Sequence, residues 1–268
     1  MPDPMVLYAK DGHIATITLN RPDVLNAVSN DMALELDACI EKVKRDDDVW
    51  VALLTGNGKS FCSGYDLKGI TTGRITKGAK PAVDRQGHIG WSALRLWEIE
   101  KPTIAAIRGH AVGGGLCLAL ACDIRIATED AKFAAAFTKR GLVPDSGATF
   151  FLIQTVGYAK ACEMSFLAEQ IDGQEALRLG LVNRVIKETA VEKAAMEMAA
   201  MEMAQKMLLQ SPIAVRLAKR ALRRGLEAEA TRAVEYELYL NGITAKTNDI
   251  IEGAKAFVEK RPPKWTGA

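Results

Sequence analysis

The residues with the most chemical content are three consecutive glycines, Gly113, Gly114 and Gly115, set between a short β-branched run at 103–107 and a Leu- and Ala-rich stretch at 116–122. The pattern predicts strand, tight turn and buried helix, with the glycines at the helix N-terminus. The first N–H groups of a helix lack partners within it and carry the positive end of the aligned peptide dipoles. With no side chain in the way, a substrate oxygen can approach them to hydrogen-bonding distance. An anion, or a carbonyl becoming one, is the natural occupant. Three glycines alone serve equally well for close helix packing or for a positive-φ turn. Because they are contiguous they do not form a G-x-G-x-x-G dinucleotide fingerprint, and no Walker lysine follows them. A second corner has the same pattern: the apolar run 49–54 leads into Thr55-Gly56-Asn57-Gly58 and then Phe61-Cys62-Ser63-Gly64-Tyr65-Asp66-Leu67. There too the backbone is free to aim N–H groups at one point.

The elements that must position these corners can be read from periodicity and turn chemistry. Residues 6–10 and 14–19 alternate around Asp11-Gly12 and predict a hairpin. Residues 20–27 are a turn-rich loop. Ser29 or Asn30 caps a helix to about Val43, with Met32, Leu36, Ile40 and Val43 on one face. Residues 68–84 are rich in Gly, Lys and Thr without periodicity, a candidate mobile loop. Trp91, Leu94, Leu96 and Trp97 suggest a helix, and 123–128 a further strand. After Pro144, a helix is expected near Ser146 with Asp145 as its N-cap. Strands near 49, 103 and 123, each leading into a turn or helix, fit a spiral of ββα units. From Thr189 the chain reads as helical. Its near-duplicate Ala195-Met196-Glu197-Met198-Ala199 and Ala200-Met201-Glu202-Met203-Ala204 reads as helix packing rather than a functional Met surface. The basic group Lys219, Arg220, Arg223 and Arg224 reads as a solvated helix face rather than an RNA contact. The tail, 257–265, mixes aromatics and cations suited to docking.

The 268 residues can form one large domain or two small ones, with a core of useful size. A net charge of +2 and 25% charged residues argue against an obligate polyanion partner and leave small metabolites open. Five cysteines, an odd number without a C-x-x-C pair, read as reduced core residues of a cytoplasmic protein. With only three histidines and no H-E-x-x-H or Cys/His cluster, no metal site is expected. Neither a signal peptide nor a membrane span is legible.

Five segments in order carry a resemblance: Leu19-Asn20-Arg21-Pro22 with Asn26-Ala27, Phe61 to Leu67, Gly109 to Gly115 with Cys122-Asp123, Gly141-Leu142-Val143-Pro144, and Glu252-Gly253 with Phe257 and Glu259-Lys260-Arg261-Pro262. Over nearly its whole length the sequence resembles the enoyl-CoA hydratase/isomerase family, the crotonase superfamily. The resemblance implies an α/β fold, with a crotonase-like ββα spiral core at 1–190 and a helical C-terminal trimerisation region at 191–268. It implies an acyl-CoA substrate, no cofactor apart from that coenzyme A, and self-association as a trimer or a dimer of trimers, with no membrane or nucleic-acid partner. By motif position the oxyanion donors are the backbone N–H groups of Tyr65 and Gly114. Val24, Ala27, Ser63, Asp66, Leu67 and Lys68 would lie along the coenzyme A. Where many members carry a cation this chain has Asp23. Phe257 and Lys260 resemble residues that reach a neighbouring subunit's coenzyme A, where a ring and a phosphate partner both help.

The departures from the family pattern bear on chemistry. Hydratases of the family use two Glu side chains to hold and activate water; here Cys117 and Phe137 occupy those positions and would line the acyl pocket. Neither is a carboxylate base, so two-glutamate hydration is disfavoured. Asp145 stands where several isomerases of the family carry their single acidic residue. Moving a double bond needs one base, which takes a proton from carbon and returns it elsewhere while the thioester oxygen bears the enolate charge. A carboxyl beside Phe137, Phe150 and Phe151 would be raised in pKa by desolvation. The leading expectation is an enoyl-CoA isomerase with Asp145 as single acid/base. The alternatives are a hydratase with relocated acids, a CoA-thioester hydrolase or dehalogenase-like enzyme using Asp145, and a non-catalytic CoA-ester- or RNA-binding homologue.

Overall fold

Strand β1 (Val6–Asp11) and strand β2 (Ile14–Leu19) form the expected hairpin, antiparallel from Val6 opposite Leu19 to Asp11 opposite Ile14. Gly12 supplies the positive φ, +53°, that the two-residue turn requires. The computed structural model describes residues 3–67, 88–187, 194–210, 212–223, 231–232, 235, 238, 242, 245–246, 248–262 and 264. Lys68, the candidate loop 68–84, Arg224 and Trp265 lie outside the described residues.

Beyond the hairpin the sheet is parallel. It runs in the order β1, β2, β3 (Val51–Gly56), β4 (Thr103–Ile107), β6 (Ile124–Thr128), β8 (Arg184–Ile186). Every residue of β3 and β4 is buried, as expected of strands covered on both faces, and both therefore read as unbroken apolar runs. A second, two-stranded parallel sheet joins β5 (His110–Val112) to β7 (Lys132–Ala134), and Cys62 bridges to Ala111 beside it. The order β4, β5, helix, β6, β7 is the repeating ββα path that the sequence suggested.

Helix α1 (Asn30–Arg45) is capped by Ser29, whose hydroxyl accepts the Met32 N–H. Lys42, Lys44 and Arg45 sit in its last turn, where cations favour the dipole. Met32, Leu36, Ile40 and Val43 are buried as predicted. Helix α2 (Ile89–Trp97) and helix α3 (Gly114–Ala121) follow; α3 is buried on every side, which explains its lack of a polar stripe. Then come α4 (Ala148–Val156), α5 (Tyr158–Leu167), α6 (Gly173–Arg178), α7 (Ala195–Leu208), α8 (Pro212–Arg223) and α9 (Asn248–Val258). Met196, Ala200 and Ala204 of α7 pack on Ile14, Val51, Leu53, Ile104 and Ile126, so one face of the Met/Ala duplicate is core packing, while Met198 is exposed.

Two expectations need correction. Lys219 and Arg223 do not form a solvated face: both are buried, paired with Asp123 at 2.6 and 2.8 Å. Among the described residues of this helix, Arg220 and Arg216 reach outward, to Glu100. Asp145 is not the N-cap of α4. The helix begins at Ala148, and its cap is Gly147, with φ +83°. The turn is made by backbone instead: the Asp145 carbonyl accepts the Ala148 N–H at 2.9 Å, and Ser146 adopts a left-handed φ of +58°.

Candidate active site

The site is built from two main-chain corners that the sheet presses together. In the first, Gly113 takes φ +55° and ψ −123°, a conformation open essentially to glycine, and its N–H donates to the Ala134 carbonyl at 2.9 Å. Helix α3 then starts at Gly114. A Cβ on Gly115 would stand 2.3 Å from the Cys62 carbonyl oxygen, so only glycine lets the helix dock on the second corner.

In that second corner Val28 donates to the Gly64 carbonyl at 2.8 Å and accepts from the Asp66 N–H at 3.0 Å. This one-bridge parallel pairing of Val28 with Tyr65 leaves the Tyr65 N–H on the opposite edge. Gly64, at φ +100°, brings the corners together: its missing Cβ would lie 2.8 Å from the Val112 oxygen and 3.5 Å from the Gly114 nitrogen. Among the described residues neither the Tyr65 nor the Gly114 N–H enters a protein hydrogen bond. Two adjacent amides with the dipole of α3 behind one of them suit an oxygen acquiring negative charge.

The loop before α1 is tied to this corner. Asn26 is fully buried at φ +55°; its side chain accepts the Arg21 N–H at 2.7 Å and donates to the Asn57 and Ser60 carbonyls at 2.9 and 2.7 Å. The Arg21 guanidinium spans the Ala27 carbonyl and the Asp66 carboxylate. The Ser63 N–H donates to the Leu25 carbonyl at 3.0 Å, and its hydroxyl points at the Val24 carbonyl. Thus Val24, Ala27, Ser63 and Asp66 are gathered beside Tyr65, with Leu67 next along the chain.

On the other side stand the residues expected at the acyl end. A Cβ on Gly113 would touch the Phe137 ring at 4.0 Å, and the Cys117 thiol points at the Asp145 carbonyl, 3.5 Å away. The Ser146 hydroxyl donates to the Asp145 carboxylate at 2.8 Å. Burial pushes the Asp145 carboxyl above its ordinary pKa, opposed in part by His88 and by the Ser146 hydroxyl. The structure therefore brings Tyr65, Gly114, Cys117, Phe137 and Asp145 together.

His88 is the site residue that sequence reasoning missed. Its ring lies 6.2 Å from that of Tyr65, and its Nδ1 caps α2 by accepting the Gly90 N–H at 3.1 Å. Its position just before an apolar helical run marks it as a cap, but nothing local ties it to Asp145. Trp97, at the end of α2, packs with Phe150 and Phe151. Phe257 and Lys260 stand at the C-terminal end of α9. With Lys139, Arg140 and Arg261 they line a hollow of about 280 Å³, where the Arg140 guanidinium stacks 4.1 Å over the Phe257 ring. Among the described residues no three His, Cys, Asp or Glu side chains cluster as metal ligands, and no helix is long and apolar enough to cross a membrane.

Known proteins share this sequence pattern and fold. The family profile described as enoyl-CoA hydratase/isomerase matches residues 9–268. A short-chain-enoyl-CoA hydratase of Clostridium acetobutylicum is 37% identical, covering 96% of this chain and 95% of its own. A 1,2-epoxyphenylacetyl-CoA isomerase of Escherichia coli is 32% identical, covering 95% of each chain. In structure, an enoyl-CoA hydratase from Mycobacterium avium subsp. paratuberculosis superposes with a TM-score of 0.86 at 28% identity, covering 99% of this chain and 100% of its own. The fold is that of the crotonases, and the chain belongs to the enoyl-CoA hydratase/isomerase family of enzymes.

Proposed function

We propose that this enzyme moves a double bond within an enoyl-CoA, with Asp145 as its single acid/base. The thioester oxygen accepts hydrogen bonds from the Tyr65 and Gly114 N–H groups. Asp145 removes a proton from C2 of a 3-enoyl-CoA; the C–H electron pair becomes the enolate and its charge comes to rest on the thioester oxygen. The same carboxyl returns the proton to C4 as the pair flows back, leaving the double bond between C2 and C3. No atom is gained or lost. The observation that carries this reading is the composition of the corner: a thiol and a phenyl ring, Cys117 and Phe137, beside one desolvated carboxyl, Asp145. A raised pKa makes that carboxylate a better base. Val24, Ala27, Ser63, Asp66, Leu67 and Lys68 are assigned to the coenzyme A. Phe257 and Lys260 are assigned to the coenzyme A of a neighbouring subunit, in a trimer or dimer of trimers held by the region 191–268.

One observation favours a second reading. His88 faces Asp145 closely enough to oppose its raised pKa, and a carboxylate with an imidazole beside it can also attack or activate water on a thioester. Incubation of 3-enoyl- and 2-enoyl-CoA esters in heavy-oxygen water separates the three chemistries. Isomerisation gives double-bond migration without label, hydration puts label into a 3-hydroxyacyl-CoA, and hydrolysis puts it into free acid. Label without migration contradicts the proposal.

A further inference from the structure

Three helices start at the site: α2 behind His88, α3 at Gly114, and α4 three residues after Asp145. The far ends of α2 and α3 meet one side chain, and α4 joins it through Trp97. Arg223, on α8, lays its guanidinium 3.9 Å over the Trp97 ring that ends α2. Its Nη2 donates to Asp123, two residues beyond α3, at 2.8 Å, and its Nη1 donates to the Ile99 carbonyl at 3.3 Å. Trp97 in turn packs against Phe151 and Phe150 of α4, at ring-centroid distances of 5.4 and 5.9 Å. The chain of contact continues to the site, because the Phe151 ring fills the place of the missing Gly147 side chain; a Cβ there would meet it at 2.5 Å. Gly147 lies two residues from Asp145.

We propose that Arg223 is a positioning residue for Asp145, acting through Trp97, Phe151 and Gly147, so that α8 sets the geometry of a base it does not touch. The proposal rests on Asp145 being the base. Energetics favour a geometric role. The Arg223 side chain is only 9% exposed, and a buried ion pair contributes little net stability against its desolvation cost. Asp123 is already served by Lys219 at 2.6 Å and by Thr103 N–H and hydroxyl groups at 2.8 and 2.9 Å. What the guanidinium adds is a flat surface on Trp97, which a lysine cannot supply.

The test compares Arg223→Lys, which keeps the charge, and Arg223→Met, which keeps only the stem, with the wild type and Asp145→Asn, all as full chains. The pH dependence of kcat is followed alongside KM. Among the described residues, His88 and the Ser146 hydroxyl act on the Asp145 carboxyl, and both are retained in the Arg223 variants. Expected for both variants is a fall in kcat of about tenfold to a hundredfold, little change in KM, and an acid limb displaced to lower pH as Phe151 loosens and water reaches the carboxyl. A merely structural arginine would lower the melting temperature and leave the limb of the folded enzyme where it was. Wild-type kcat and limb in Arg223→Lys overturn the proposal, as does failure of both variants to fold. Full turnover by Asp145→Asn is a separate outcome: it removes Asp145 as the base, and with it the foundation of this proposal.

Discussion

Gly64 and Gly114 stand so close that a methyl group on the first would lie 3.5 Å from the amide nitrogen of the second. That approach joins two parts of the chain fifty residues apart. It is what places the Tyr65 and Gly114 N–H groups side by side, and each consequence of it can be tested.

Gly114 is the first residue of α3, the helix position at which proline is best tolerated. Gly114→Pro should therefore fold while lacking the N–H, and kcat should fall by about 10²- to 10³-fold. Gly114→Ala keeps the N–H; its methyl meets chiefly the flexible tip of Ile89, at 2.7 Å, so it should retain most of the activity. Steady-state kinetics of the pair, with circular dichroism to check folding, separates a lost donor from a damaged turn.

Gly64→Ala should be worse than Gly114→Ala, since the residue sits at φ +100° and its methyl would meet the Val112 carbonyl at 2.8 Å. Backbone cannot give way as a side-chain tip can. A lower melting temperature together with a lower kcat is expected, and equal behaviour of the two alanine variants would contradict the geometry.

Asp145→Asn should lower kcat by about 10²- to 10⁴-fold. The wild type should lose activity as pH falls through the raised pKa, because the carboxylate is the working form. Stability moves the other way. The folded state holds the proton more tightly than the unfolded chain, whose value lies near 3.8, so this group's contribution is full below that value and is lost as pH rises through the folded pKa. The Asn variant lacks that loss and should melt higher than wild type at neutral pH, which thermal scans across pH will read.

Lys219 supplies an independent titration. Burial depresses its pKa from 10.5 to about 8, against the pull of Asp123. Between those values the unfolded chain binds more protons than the folded one, so stability attributable to this residue rises with pH. Urea midpoints for wild type and Lys219→Met should diverge from pH 8 toward 10.5, the wild type gaining.

Much of this was legible in the sequence because the information is local. Asp11-Gly12 between alternating runs specifies the hairpin; Ser29 before an apolar face specifies α1; contiguous glycines after a β-branched run specify the corner. What escaped depends on contacts between distant segments. Asp145 before a helix looks like a cap, and only the left-handed Ser146 and Gly147 move the helix start to Ala148. Lys219 and Arg223 look solvated on one strongly amphipathic helix; their partner Asp123 is about a hundred residues earlier. His88 shows its cap in sequence but not its nearness to Asp145, which the fold alone creates.

In the proposed mechanism two main-chain amides share one oxygen. Its most direct test is a crystal structure of the enzyme in complex with a saturated acyl-CoA, which has no double bond to move. The expected result is a thioester oxygen about 3 Å from both the Tyr65 and the Gly114 nitrogens. A thioester oxygen bound elsewhere, or either amide turned to another protein group, would contradict it.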